Sequence, residues 1–202
     1  MAKRESTFLN MSLALFIVTF IAAFTLGFVY EITKEAIDTS KIKAQNDAIS
    51  DILPEFDRLG EPLKVADEGG GDSLVLFPAF KNDELVGVAV KTFSMNGFSG
   101  FISVMAGIDN SGNFSGYRVL EHAETPGLGS KMDSWFRDTE KPGQCIIGKN
   151  PESYKFEVTK DGGDVDAITA STISSRAFLD ALVRAYDVYK EKENEIAGHA
   201  GE

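Results

Sequence analysis

The longest apolar run lies near the start of the chain. Residues 11–30 read MSLALFIVTFIAAFTLGFVY, without a charged side chain. As a helix, about twenty such residues cross the ~30 Å hydrocarbon core of a bilayer. Apart from the closing Tyr30, the polar members are Ser12, Thr19 and Thr25, whose hydroxyls bond back to the preceding turn in a helix. Residues 31–52 then carry an uneven helical stripe of Ile32, Ala36, Ile37, Ala44, Ala48 and Ile52. Pro54 stops it, since the residue before a proline resists helix. After a gap at 67–72 containing Gly69, Gly70 and Gly71, the pattern becomes that of strands. Residues 74–80 and 85–92 flank a turn at Asn82 and Asp83. Residues 101–109 and 114–121 flank Asn110, Ser111, Gly112 and Asn113, giving two hairpins. Pro78 predicts an edge position for the first of these strands, and residues 154–158 a weaker fifth strand. A last helix over about residues 174–190 sets Phe178, Leu182, Ala185, Tyr186 and Tyr189 at helical spacing, a core-facing stripe. Consecutive hairpins imply an antiparallel sheet, and helices at both ends make the class α+β.

These 202 residues suffice for one good core with an appendage. The expected organisation is a tip and transmembrane anchor over 1–30, a stalk helix over 31–60, a folded domain over 61–195, and a flexible tail over 196–202. A cleaved signal peptide is the rival reading of the anchor. Against it, the run exceeds the usual core of about 7–15 residues, and the exit Val29, Tyr30, Glu31 lacks small residues for cleavage. Lys3 and Arg4 precede the span, so the positive-inside rule puts the N-terminus in the cytoplasm and the domain on the outer, periplasmic face.

Twenty basic against 31 acidic residues give a net charge of −11, which excludes a nucleic-acid partner, whose phosphates need basic surface. The single cysteine, Cys145, allows neither an internal disulfide nor an all-cysteine metal site, and reads as a small buried hydrophobe. His122 and His199 make no metal-binding pattern, and no residue set resembles an acid–base or nucleophilic triad.

Two segments carry candidate chemistry. Asp166, Ala167, Ile168, Thr169, Ala170, Ser171, Thr172, Ile173, Ser174 and Ser175 crowd hydroxyls just before the last helix. Helix starts favour such residues as caps. They also leave backbone N–H groups unpaired beside partial positive charge, which suits a phosphate. The second segment, Glu124, Thr125, Pro126, Gly127, Leu128, Gly129, Ser130 and Lys131, follows the fourth strand. Its Pro–Gly step suits a tight turn, and Gly129 lets backbone approach a flat ligand.

The pair ETPGLG, then D-x-x-[ST]-x-x-T about forty residues later, resembles the covalent-FMN subunits of two membrane electron-transport complexes. One is the G subunit of the Rnf-type ferredoxin:NAD oxidoreductase, the other the C subunit of the sodium-pumping NADH:quinone oxidoreductase. The resemblance runs over anchor, stalk, Gly97–Phe98–Ser99–Gly100, both motifs and final helix. The short chain and His122 before the loop look more like the Rnf subunit. It implies an FMN-binding domain with a twisted antiparallel sheet flanked by helices. A dedicated flavin transferase would join the FMN phosphate to Thr172 as a phosphoester, with Thr169 and Ser171 as competing hydroxyls. By the same resemblance Asp166 matches the leading aspartate of the motif, and Ser174 and Ser175 the hydroxyl pair after it. Where the family has Gly-Ala before the threonine, this chain has Ala170–Ser171. If that position needs positive φ, Ala170 costs on the order of 1 kcal/mol.

The resemblance further implies an electron relay in the cell inner membrane, inside an ion-translocating oxidoreductase. Its partners would be the complex's other subunits, including a second flavin-bearing membrane subunit and iron–sulfur subunits. Thr125, Leu128 and Gly129 would meet the isoalloxazine, with Glu124 or Lys131 adjusting its potential. Phe98, Trp135 and Phe136 are candidates for stacking or for core packing. The competing reading is a membrane-anchored assembly or sensory module that keeps the fold without a flavin.

Overall fold

One helix, α1 (Phe8–Ile52), takes up both the apolar run and the stripe after it, in a computed structural model that describes residues 7–66 and 73–198. Lys3 and Arg4, the glycines at 69–71 and the tail from His199 lie outside the described residues. The chain forms two compact units, divided between Ala44 and Gln45. In the first, none of the most apolar stretch of α1 is buried, and among the described residues this is the one helix long and apolar enough to cross a membrane. Phe16, Phe20, Phe24 and Phe28 stack at four-residue intervals along one side, 6.2–6.5 Å between ring centroids. Thr19 donates its hydroxyl to the Leu15 carbonyl at 2.9 Å, so the polar group is satisfied inside the helix. A bare apolar surface of this length, with the Thr19 hydroxyl paired inside the helix, suits a bilayer core.

The second unit is built on an antiparallel sheet. Its strands are β1 (Arg58–Leu59), β2 (Leu63–Val65), β3 (Leu74–Lys81), β4 (Glu84–Gly97), β5 (Gly100–Asp109) and β6 (Phe114–His122), in the order β1–β3–β4–β5–β6 with β2 also on β3. Both predicted hairpins are present. Asn82 and Asp83 turn β3 into β4 with φ 50 and 64, the left-handed pair a tight two-residue hairpin needs.

The sheet departs from the sequence reading in four places. First, β3 is no edge strand, because β1 and β2 cover its outer side. Pro78 is tolerated since its carbonyl, and hence its amide nitrogen, faces the break between those two strands, where Gly60 donates to it at 2.8 Å. Second, β4 runs on to Gly97 and pairs with Gly100, forming a third hairpin whose turn is Phe98 and Ser99. Third, residues 154–158 form no sheet strand; the Lys155 and Glu157 carbonyls accept the N–H groups of Asp164 and Val165 on the adjacent return, leaving one bridge at Val158. Fourth, the last helix, α3 (Thr172–Gly198), starts two residues early and runs past residue 190. Ser175 N–H bonds Ser171 O at 3.0 Å to close the first turn. At the far end, ion pairs Lys190–Glu193 and Lys192–Glu195 and the fully buried Ile196 hold the helix beyond its expected stop near residue 190.

Alternation along the strands divides the core. Val88, Val90, Val104 and Ala106 face α3, which brings Phe178, Leu182, Ala185, Tyr186 and Tyr189 to them, the predicted stripe. Ala89, Met105, Phe77 and Ala79 face the other way, onto Ala48, Ile49 and Ile52 at the end of α1. There Gly107 and Gly116 admit Ile52 so closely that a Cβ would lie 2.7 and 2.9 Å from its backbone. Ser115 Oγ donates to the Ile52 carbonyl at 2.6 Å, satisfying an orphan group of the helix end. Phe136 stacks on Phe178 at 4.6 Å and Cys145 is buried, both as core residues. A short helix, α2 (Met132–Trp135), follows the loop after β6.

Candidate functional site

The hydroxyl-rich segment is a loop that ends as α3 begins. Ser171 N–H bonds Ile168 O at 2.9 Å, turning the chain, and Ala170 sits at the bend with φ 61. An L-residue carries strain there, and glycine does not. Ser175 is a brace: its Oγ accepts Ile168 N–H and donates to Ser171 O, each at 2.9 Å. Ser174 Oγ donates to Glu124 Oε2 at 2.7 Å. Among the described residues, nothing hydrogen-bonds the hydroxyls of Thr169, Ser171 or Thr172. As the first residues of a 27-residue helix, Thr172, Ile173 and Ser174 have amides with no partner inside it, and the first turn holds no acidic side chain.

Glu124 lies on the loop after β6 and is only 5% exposed. Besides Ser174, it accepts Ser99 N–H at 3.1 Å from the β4–β5 turn. Its own amide bonds His122 Nδ1 at 3.1 Å. Gly129 presses against the same carboxylate: a Cβ there would lie 2.5 Å from Glu124 Oε2 and 2.6 Å from Ser174 Oγ. Three segments far apart in sequence are thereby gathered at one carboxylate.

Between them opens a cleft of about 330 Å³, lined by Phe98, Glu124, Thr125, Leu128, Ala170, Ser171, Thr172, Ile173 and Ser174. Phe98, Leu128 and Ile173 are 68%, 39% and 47% exposed, unusual for large apolar side chains beside a folded core. The cleft therefore offers apolar walls for a flat ring, with free hydroxyls and unpaired helix amides at one end for a phosphate. The residues present fit a flavin mononucleotide on these counts.

Of the residues singled out in the sequence, Glu124, Thr125, Leu128, Ala170, Ser171, Thr172 and Ser174 line this cleft. Gly129 stands behind it against Glu124, and Ser175 beneath it as the brace. Lys131 is exposed and outside the lining, as are Asp166 and Thr169. Asp166 is fixed through its backbone: its N–H bonds Gly143 O at 2.6 Å and its carbonyl accepts Trp135 Nε1–H at 2.9 Å. Neither Trp135 nor Phe136 lines the cleft, whereas the exposed Phe98 does. Ile173, named within the hydroxyl-rich segment, was given no role there and proves to be an apolar wall of the cleft. The available signal was an apolar side chain at a helix start, lying off the stripe that Phe178, Leu182 and Ala185 define.

A family model described as FMN-binding domain matches residues 97–187, from the β4–β5 turn through most of α3. The chain is also similar to three proteins, each named as the G subunit of an ion-translocating oxidoreductase complex. That of Aliivibrio fischeri (strain ATCC 700601 / ES114) is 30% identical over 197 residues, covering 93% of this chain and 91% of the relative. That of Salmonella typhi is 34% identical over 163 residues, 77% of this chain and 78% of the relative. That of Vibrio parahaemolyticus is 39% identical over 122 residues, 58% of this chain and 56% of the relative.

Proposed function

The chain belongs to the family of G subunits of ion-translocating oxidoreductase complexes, and on that premise we propose that it relays electrons through an FMN tethered to Thr172 by a phosphoester. It is a membrane flavoprotein subunit of such a complex. The observation that carries the finer reading is the cleft itself: a free threonine hydroxyl at the mouth of α3, facing apolar walls from three segments.

Each part has a role. The Thr172 hydroxyl, which lines the cleft, would carry the flavin phosphate as an ester. The amides of the first turn of α3 would stabilise the phosphate charge. Phe98, Leu128 and Ile173 would hold the ring with apolar contacts, and Thr125 would offer it a polar one. Bound there, FMN supplies one- and two-electron chemistry, and the protein contributes position and tuning. Ser171, also free and in the cleft, is the rival attachment point; Thr169 is free but outside it. The tether has a purpose on the far side of the membrane, where no pool of free cofactor replaces one that is lost.

The wider arrangement follows the same reading. The apolar run at 11–30 is the single-pass anchor and the residues after it up to Ala44 a stalk, with the flavin domain beginning at Gln45 and lying on the periplasmic face of the inner membrane. Partners are the complex's other subunits, among them a second flavin-bearing membrane subunit and iron–sulfur subunits, with a flavin transferase for maturation. The chain turns over no substrate alone. Full-length protein purified after co-production with the transferase tests the reading. It should be yellow, and its flavin should stay through denaturation and gel filtration in the parent but not in Thr172→Ala. A colourless parent protein contradicts it.

A further inference from the structure

We infer that Glu124 is the positioning residue of this cleft, acting on the flavin ring through the apolar side chains that flank its partners. The inference rests on the flavin reading above. Its carboxylate is buried, yet it is the point where three segments meet: Ser99 N–H on Oε1 at 3.1 Å, Ser174 Oγ–H on Oε2 at 2.7 Å, and Gly129 so close that a Cβ there would lie 2.5 Å from Oε2. Each of the three exposed apolar residues at the cleft is the immediate chain neighbour of one of these. Phe98 precedes Ser99, Leu128 precedes Gly129, and Ile173 precedes Ser174.

The sequence separations make this more than local geometry. Residue 99 lies 25 positions and residue 174 lies 50 positions from Glu124, so no turn or helix fixes their relation. Phe98 has little packing of its own to hold it, and Leu128 and Ile173 are only partly covered. What orients them is the residue beside each: Ser99 and Ser174 hydrogen-bond the one carboxylate, and Gly129 lies close against it. A carboxylate with both oxygens engaged by donors is a firm anchor, since charge-assisted hydrogen bonds are about twice as strong as neutral ones. Gly97 adds to the closeness: a Cβ there would lie 2.6 Å from Glu124 Oε1. Sequence alone placed this glutamate beside the ring as a source of charge. The structure assigns it the task of setting where the walls stand.

The test uses full-length protein co-produced with the flavin transferase, carrying Glu124→Gln, Glu124→Ala or Ser174→Ala. Mass spectrometry reads attachment; flavin fluorescence anisotropy and visible circular dichroism of the flavinylated protein read ring order. Glutamine keeps an acceptor for Ser99 and a polar partner for Ser174, so Glu124→Gln should retain most of the parental anisotropy and dichroism. Glu124→Ala should remain flavinylated but lose at least half of the excess anisotropy over free FMN. Parental ring signals in Glu124→Ala, or equal loss in Glu124→Gln, would overturn the inference. If the alanine variant fails to fold or to be flavinylated, Ser174→Ala decides: reduced anisotropy supports the clamp and unchanged anisotropy refutes it. A parent protein without flavin instead defeats the flavin reading itself, a separate outcome.

Discussion

The hydroxyl of Ser175 accepts the backbone N–H of Ile168 at 2.9 Å and so closes the loop that carries Thr172. Both residues are buried, so no water replaces the bond. Ser175→Ala leaves that amide unpaired, which costs about 1–3 kcal/mol. Denaturant unfolding of the full chain in detergent should show a loss in this range, with slower flavin attachment as the Thr172 loop loosens. Unchanged stability would show that the loop finds another acceptor.

Ala170 gives the opposite sign. At φ 61 it occupies the left-handed region, at a cost of about 1–2 kcal/mol for an L-residue. Glycine removes that strain but gives back roughly 0.5–1 kcal/mol of unfolded-state entropy. Ala170→Gly should therefore stabilise the protein by up to about 1 kcal/mol. Ala170→Val, β-branched at positive φ, should destabilise it by more than about 1 kcal/mol. Midpoints of urea unfolding check both.

Tyr117 lends the fold an alkaline limit. Its ring is buried against Phe178 and its Oη donates to Met132 O at 2.6 Å. Burial pushes the phenol up to about 12, opposed by the nearby Arg137. An unfolded tyrosine titrates near about 10. Because the folded value is the higher, the stabilisation is full below pH ~10 and is lost as pH rises toward ~12. In Tyr117→Phe the stability should fall less steeply across that window. At neutral pH the variant should be weaker by about 1–3 kcal/mol, because Met132 O loses its buried donor. Thermal melts from pH 7 to 12 measure both effects.

Much of this architecture was legible because its signals are local and periodic. Residues 11–30 needed only length and apolarity. The Asn82–Asp83 hairpin needed only turn chemistry, and the stripe from Phe178 to Tyr189 only the helical repeat. What escaped depends on contacts between distant segments. β1 and β2 are two and three residues long, too short for a period, and exist because β3 offers them a side. Residues 154–158 alternate like a strand but bond to their own return.

The site divides the same way. Composition flagged the hydroxyls from Thr169 to Ser175, but only their partners separate them. Ser174 and Ser175 are occupied by Glu124 and Ile168, while Ser171 and Thr172 are left free in the cleft. Phe98 could not be told from a core aromatic until β4 proved to run on to Gly97 and turn there.

The central claim is that one hydroxyl, on Thr172, holds the cofactor. Peptide-level mass spectrometry of full-length protein co-produced with the flavin transferase tests it most directly. The account predicts an added mass of one FMN less one water, with fragment ions placing it on Thr172 and its loss in Thr172→Ala. An adduct on Ser171 or Thr169, or an unmodified peptide in protein otherwise competent for maturation, would contradict it.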